Sequence, residues 1–276
     1  MAFEIQAHRG GRTQFPENSL QAFCHAVALG IRVLELDVVV SKDHQIVVSH
    51  DPWLSAPLCS DPHGHPLSTE DRFRYILYDM VYADIATFDC GLPHTSFPGQ
   101  VRVATIKPLL STVFRELEGY MVSMGMKGSV TYNLEIKSWP DKTGIFHPPP
   151  ARYAALVLQL VEAAGLSLRV RIQSFDYLLL REAWRLNPLL CYGFLIDEAK
   201  DMDRILCELD FLPRYVNPHF SLVDREMRDA LHEQGIGMIP WTVNRTEEML
   251  AMEQIGAEGI ITDYPERAIA LFGVPE

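Results

Sequence analysis

No stretch of the 276-residue chain supplies the apolar residues that a bilayer-spanning helix needs, about 20 in succession. Nor does the chain open on a basic segment followed by an apolar one, and strand-like sequence begins at Phe3 instead. The expectation is a cytoplasmic protein without stable membrane insertion, or a periplasmic or secreted one if a leader was removed. Positive charge is scarce, with 24 Lys and Arg against 36 Asp and Glu and a formal net charge of -12. Such a surface opposes non-specific nucleic-acid binding, so any bound phosphate must be held by local cations or a metal. Cysteine is sparse, odd in number and scattered (Cys24, Cys59, Cys90, Cys191, Cys207), with no CxxC pair. Reduced, partly buried thiols are expected, ahead of a single surface disulfide. No glycine-rich phosphate loop follows any strand-like segment, and no low-complexity segment or short repeat is present.

What is present is alternation. Phe3–His8 reads as a strand, and Asn18 or Ser19 can cap a helix whose apolar face is Leu20, Phe23, Ala26 and Val27. Val33–Val40 is a strand rich in β-branched residues, and Gln45–Ser49 a shorter one whose hairpin can present His50. From Pro52 to Pro108 the rhythm breaks into proline-rich and aromatic pieces, with one capped helix expected at Ser68-Thr69-Glu70-Asp71. Alternation then returns: helix Leu109–Tyr120, strand Val130–Lys137, a helix opened by Pro148-Pro149-Pro150, strand Val170–Ser174 and helix Asp176–Asn187. Strand Leu190–Ile196, a helix near 201–208, strand Tyr215–Asn217, helix Asp224–Gln234 and strand Gly237–Val243 follow. Helix Glu247–Gln254, strand Gly259–Thr262 and helix Pro265–Leu271 close the chain. About eight strand–helix units in one chain predict an α/β fold, a closed (β/α)8 TIM barrel. The barrel is expected to be a single domain over 1–276, with 52–108 as an insertion after the second strand region. A doubly wound sheet competes, and the missing glycine-rich loop counts against it.

Active sites in this fold gather at the C-terminal ends of the strands. His8 and Arg9 end the first predicted strand, Glu35 and Asp37 lie along the second, and Glu135 and Lys137 end the third. Gln173, Asn217, Trp241 and Asp263 fall at or near later strand ends. Glu35 and Asp37, two residues apart, share one face of a strand. Buried acids need a compensating cation. Either basic side chains supply it, as buried ion pairs, or a hard metal ion does; with Glu135 as a third oxygen donor the expectation is Mg²⁺ or Ca²⁺, with Mn²⁺ as an alternative. His8 and His50 can serve as proton donor and acceptor near neutral pH. Arg9 and Lys137 can contact phosphate oxygens or act as counter-ions to the acids. Trp241, partly core, can pack against a glycerol backbone. Metal-assisted cleavage of a phosphodiester is the simplest reaction that uses all of these groups.

The ordered set His8-Arg9-Gly10, Pro16-Glu17-Asn18, Glu35-Leu36-Asp37, His50-Asp51, Glu135-Ile136-Lys137, Trp241-Thr242-Val243-Asn244 and Thr262-Asp263-Tyr264-Pro265 resembles the glycerophosphodiester phosphodiesterase family. The resemblance implies a TIM barrel, a divalent metal, and cleavage of a small-molecule glycerophosphodiester to glycerol 3-phosphate and an alcohol. Carried over motif by motif, it implies Glu35, Asp37 and Glu135 as metal ligands, His8 and His50 as the acid–base pair, and Arg9 and Lys137 as phosphate contacts. After His50-Asp51 the chain has Pro52-Trp53-Leu54 where many members carry an Arg-Thr-Thr-containing stretch, so the preferred alcohol stays open. The initial nucleophile also stays open between the glycerol 2-hydroxyl and water, as do the assignment of base and acid and a homo-oligomeric state. A barrel phosphodiesterase acting on lysophospholipid or phosphoinositide, and an inactive phosphodiester-binding protein, are the competing readings.

Overall fold

The computed structural model of the chain describes residues 3–56, 58–198 and 206–274. The strands are β1 (Glu4–Ala7), β2 (Val33–Val40), β3 (Ile46–Val48), β4 (Thr131–Ile136), β5 (Val170–Ser174), β6 (Cys191–Ile196), β7 (Tyr215–Pro218), β8 (Gly237–Met238) and β9 (Gly259–Thr262). Helices are α1 (Leu20–Ala28), α2 (Tyr82–Ile85), α3 (Leu110–Ser123), α4 (Pro150–Ala163), α5 (Tyr177–Leu186), α6 (Arg225–Glu233), α7 (Thr246–Ile255) and α8 (Pro265–Phe272). The helix expected near 201–208 lies mostly outside the described residues.

Eight strands run parallel in the order β8-β7-β6-β5-β4-β2-β1-β9, while β3 turns back antiparallel on β2. The two ends meet: Val243 N–H donates to Ile261 O, Ile261 N–H to Pro240 O and Glu258 N–H to Met238 O. The barrel expected from the alternation is therefore present and nearly closed. The strand expected over Gly237–Val243 is cut to two residues because Pro240 has no N–H to give a ladder. Ser19, not Asn18, caps α1, its hydroxyl accepting from Ala22 N–H at 3.2 Å.

Strand periodicity separates two environments. One face of the strands (Ile5, Leu34, Leu36, Val38, Leu134, Ile136, Ile172) packs under the helices and is fully buried. The opposite face fills the barrel and is largely polar. Arg171 on β5 reaches Glu4 on β1 at 2.6 Å, and Asn133 on β4 donates to Gln6 on β1 at 2.7 Å. Neither pair lies on adjacent strands, so both contacts cross the interior. Glycine makes the room: a Cβ on Gly193 would stand 2.6 Å from Asn217 Oδ1.

The β2–β3 hairpin projects past the barrel. Val38 and Val40 pack into the helix layer, whereas Val39 and Val47 carry a second small core with Leu54, Leu77, Ile85 and Phe88. This core belongs to the segment expected as an insertion, where the helix expected at 68–71 is only one 3-10 turn, Thr69–Asp71. The expectation of reduced thiols is corrected here. Cys59 and Cys90 form a disulfide, because the Ser60–Asp89 bridge lays their two segments side by side. With a buried core far smaller than that of the barrel, the 52–108 segment depends on the cross-link more than the barrel does. Cys24, Cys191 and Cys207 are free.

Alkylation of denatured, unreduced protein should label three thiols, rising to five after reduction. With its cysteines 31 positions apart in sequence, the link should add about 3–4 kcal/mol to the stability of this segment. Urea melts of a C59A/C90A variant, read against wild type, measure that difference.

Candidate active site

Parallel register sets Asp37 beside Glu135 and Glu35 beside Asn133. Because side chains alternate, all three acids project into the barrel toward its C-terminal mouth. Oxygen atoms of Glu35, Asp37 and Glu135 lie within 4.8 Å of one another, and all three residues are buried. Lys137, two residues beyond Glu135, places Nζ 2.6 Å from Glu135 Oε1 and 3.0 Å from Asp37 Oδ1. Asp37 Oδ1 accepts no well-aligned hydrogen bond, so its contact with Lys137 is one of charge and proximity.

Such crowding separates the three acids electrostatically. Burial raises Glu35 well above the usual carboxylate range, and the charges of Asp37 and Glu135 add to it. Burial likewise raises Glu135, to about 7, with Lys137 opposing and Asp37 reinforcing. For Asp37 burial is outweighed: Lys137 and Arg9 hold it well below the range. Without a further cation, the cluster therefore keeps protons near neutral pH.

The turn after β1 brings the next group. Arg9 adopts φ +52°, which turns its N–H onto Glu35 Oε2 at 2.9 Å. Its guanidinium donates to both Glu17 oxygens at 3.0 and 3.1 Å, and Nε lies 3.2 Å from Asp37 Oδ2. Gly10 follows at φ +86° and packs so closely on α1 that a Cβ would stand 2.9 Å from the Ala22 methyl. Asn18, also at positive φ, donates to Asp37 Oδ2 at 2.8 Å. Gln173 donates to Glu35 Oε1 at 3.3 Å.

Each of the two histidines faces a carboxylate through Nδ1. His8 Nδ1 is 2.6 Å from Asp263 Oδ1, and Asp263 also accepts from Arg12 Nε at 2.7 Å and Asn244 Nδ2 at 2.8 Å. Burial opposes ionisation of Asp263, but His8 and Arg12 outweigh it and hold the acid far below its usual range. His50 Nδ1 is 2.8 Å from Asp51 Oδ1, and Ser55 donates to the other oxygen of Asp51. Burial also opposes Asp51, which His50 and Ser55 lower to about 2. An ionised carboxylate can only accept, so in both pairs the neutral imidazole carries its proton on Nδ1 and leaves Nε2 as the lone-pair nitrogen. Burial lowers both imidazoles: His8 is pulled down further by Arg9 against the pull of Asp263, and His50 falls to about 4 beside Lys137 and Arg9.

A cavity of about 700 Å³ opens above the acids. Of the residues expected to carry chemistry, His8, Arg9, His50, Glu135, Lys137 and Trp241 line it. Glu35 and Asp37 lie close to Glu135 and are fully covered. Trp241 is anchored by its indole N–H to Asn217 O at 2.8 Å and meets Phe175 edge-on at 5.4 Å. Gln173 is beside Glu35, while Asn217 serves as scaffold, donating to Ile239 O at 3.1 Å. Sequence reasoning did not read Arg12 or Lys107 and gave no role to Asp51. The spacing of His50-Asp51, with a hydroxyl four residues on at Ser55, was a usable signal for that dyad. Arg12 and Lys107 had none, since their neighbours come from distant segments.

The model of the glycerophosphoryl diester phosphodiesterase family matches residues 8–267. A glycerophosphodiester phosphodiesterase of Caldanaerobacter subterraneus subsp. tengcongensis is 28% identical over 271 residues, spanning 97% of this chain and 96% of its own. Among solved structures, a candidate glycerophosphoryl diester phosphodiesterase from Silicibacter pomeroyi superposes with a TM-score of 0.86 at 29% identity, covering 98% of this chain and 93% of its own. An Oleispira antarctica phosphodiesterase solved with sn-glycerol-3-phosphate shares the fold, with a TM-score of 0.75 at 22% identity over 97% of this chain and 95% of its own. The family model covers nearly the whole chain, the strand-end acids sit where the barrel fold puts its chemistry, and the chain belongs to the glycerophosphoryl diester phosphodiesterase family.

Proposed function

We propose that the protein hydrolyses glycerophosphodiesters to glycerol 3-phosphate and an alcohol with the help of a divalent metal. The observation that carries this reading is the convergence of three buried carboxylates, within 4.8 Å of one another, under a cavity lined by two imidazoles, Arg9 and Lys137. The donor set fits a hard cation: it is all oxygen, and Asp37 Oδ1 has no hydrogen-bond donor aligned on it. Glu35, Asp37 and Glu135 would hold Mg²⁺, Ca²⁺ or Mn²⁺. When bound, such an ion supplies Lewis-acid stabilisation of charge on a phosphoryl oxygen.

The side chains do the rest. Arg9, pinned by Glu17, and Lys137, pinned between Asp37 and Glu135, present fixed N–H donors to the non-bridging oxygens without reorganising during reaction. His8 and His50 present Nε2 from separate elements, one from the turn after β1 and one beyond β3. One accepts the proton of the attacking oxygen, either water directly or the glycerol 2-hydroxyl with water then opening the cyclic phosphate, while the other, protonated with its carboxylate's support, delivers a proton to the leaving alkoxide. A substrate monoanion favours the protonated form of the second imidazole, offsetting the depression that burial causes.

Replacing either histidine by alanine should lower kcat by about 10²–10⁴-fold. The fold should be retained, because Asp263 still accepts from Arg12 and Asn244, and Asp51 from Ser55, when the rings are gone. A steady-state assay on glycerophosphocholine with a circular-dichroism melt checks this, and near-wild-type turnover would remove that histidine from its role. A second expectation follows from Glu135. Its folded-state pKa of about 7 lies above the ordinary 4.5, so the folded protein binds this proton more tightly than the unfolded chain. Its contribution is fully present below about pH 4.5 and is lost as pH rises through about 7. Mg²⁺ or Ca²⁺ should therefore raise the melting temperature of EDTA-stripped protein more at pH 8 than at pH 5. Equal shifts at both pH values, or none, would count against metal binding at these acids.

A further inference from the structure

His50 and Asp51 are chain neighbours, so the backbone already limits how far that ring can stray from its carboxylate. His8 and Asp263 are 255 positions apart, and their register must be held by non-covalent contacts. Arg12 supplies them. Its Nε donates to Asp263 Oδ1 at 2.7 Å and its Nη2 to Oδ2 at 3.2 Å, so one guanidinium spans both oxygens. Nη1 donates in turn to Glu17 Oε2 at 2.7 Å. Gly11 permits this approach: at φ +82° it brings the turn after β1 so near the end of β9 that a Cβ would stand 2.8 Å from Pro265 Cγ.

A fork seated on both oxygens fixes the plane of a carboxylate, which a single donor leaves free to rotate about Cβ–Cγ. Asn244 reaches only Oδ2, at 2.8 Å. Oδ1, the oxygen that faces His8 Nδ1 at 2.6 Å, is held by Arg12. The far side of the guanidinium cannot swing away, since Glu17 is itself gripped by Arg9. Its flat face is covered by Phe97, whose ring centre lies 4.8 Å from the guanidinium carbon. Gln100 donates to Arg12 O and Phe15 O, both at 2.9 Å, and Val101 N–H to Gln14 O at 2.7 Å, clasping the turn against the 52–108 segment. Burial and Arg9 oppose the charge on Arg12, but Asp263 and Glu17 outweigh them and raise it above the ordinary arginine range. Arg12 does not line the cavity, so whatever it contributes to turnover passes through the groups it holds.

We propose that Arg12 is a positioning residue for turnover: by locking the plane of the Asp263 carboxylate it fixes the His8 ring, and through Glu17 it keeps that ring in register with Arg9. The inference rests on the phosphodiesterase reading above and adds to it a residue outside the cavity.

Steady-state kinetics of R12M and R12K on glycerophosphocholine, with Mg²⁺ or Ca²⁺ present, test this, each variant being made in wild-type and in H8A protein. R12M should lower kcat about 10–100-fold and leave KM within about twofold, because Arg9 and Lys137 stay in place. R12K keeps the charge but not the fork; it should melt like wild type and recover only part of the lost kcat. In H8A protein, R12M should cost less than about twofold, since the group it positions is already gone. Equal losses in the two backgrounds, full kcat in R12K, a loss confined to KM, or wild-type kcat in R12M overturns the positioning role. A lower melting temperature with unchanged kcat overturns it in favour of a purely structural one. Should R12M not fold, R12K and R12K/H8A carry the same comparison. No turnover of any glycerophosphodiester by wild type with any divalent ion sinks the phosphodiesterase reading itself.

Discussion

Three carboxylates held within 4.8 Å of one another, buried at the floor of the barrel's mouth, impose the constraint that organises this molecule. Left alone, that much buried negative charge would be costly. The surrounding structure supplies the compensation: Lys137 from the same strand as Glu135, Arg9 from the turn after β1, Asn18 from the cap region of α1 and Gln173 from β5. Each of these groups belongs to a different part of the chain. The polar half of the barrel is thus a connected network, in which Gln6, Asn133 and Gln173 form a layer beneath the acids and Glu4–Arg171 one further down.

A second network, of positive and negative groups around the mouth, orients the imidazoles. Asp263 arrives from just after β9 and Asp51 from just before the 52–108 segment, so the two histidine–carboxylate pairs draw on distant parts of the sequence. Glu17 ties them together through Arg9 and Arg12, and its carboxyl is held far below its usual range, burial being outweighed by those two guanidiniums and by Lys107. Lys107 itself is buried at the exit of the insertion, where burial lowers it and the charges of Glu17, Asp51 and Asp37 draw it back up. The insertion therefore does more than decorate the barrel. It delivers Lys107 to the site and Trp53 and Phe73 to the rim, and its disulfide holds together a segment whose own core is small.

Much of this was legible beforehand because it depends on local periodicity. The i, i+2 spacing of Glu35 and Asp37 inside a β-branched run is enough to place both acids on one strand face, and the Val38–Val48 hairpin follows from two short apolar runs around Lys42-Asp43-His44. Misreadings arose where a non-local contact overrode a local signal. Cys59 and Cys90 looked unpaired because nothing in their flanking residues shows the Ser60–Asp89 bridge. Of the two cap residues the sequence offered, Asn18 donates to Asp37, and Ser19 caps the helix.

By itself the sequence determined the alternating elements, the barrel they build, and the acids, imidazoles and cations at the strand ends, since side-chain period and residue type are properties of the local chain. Only the tertiary structure decided which carboxylate orients which imidazole, that Glu35, Asp37 and Glu135 differ so strongly in proton affinity, and that Arg12 joins the His8–Asp263 pair to Glu17 and Arg9. Those outcomes depend on distance and on exclusion of water, and neither exists until strands remote in sequence have closed around a common interior.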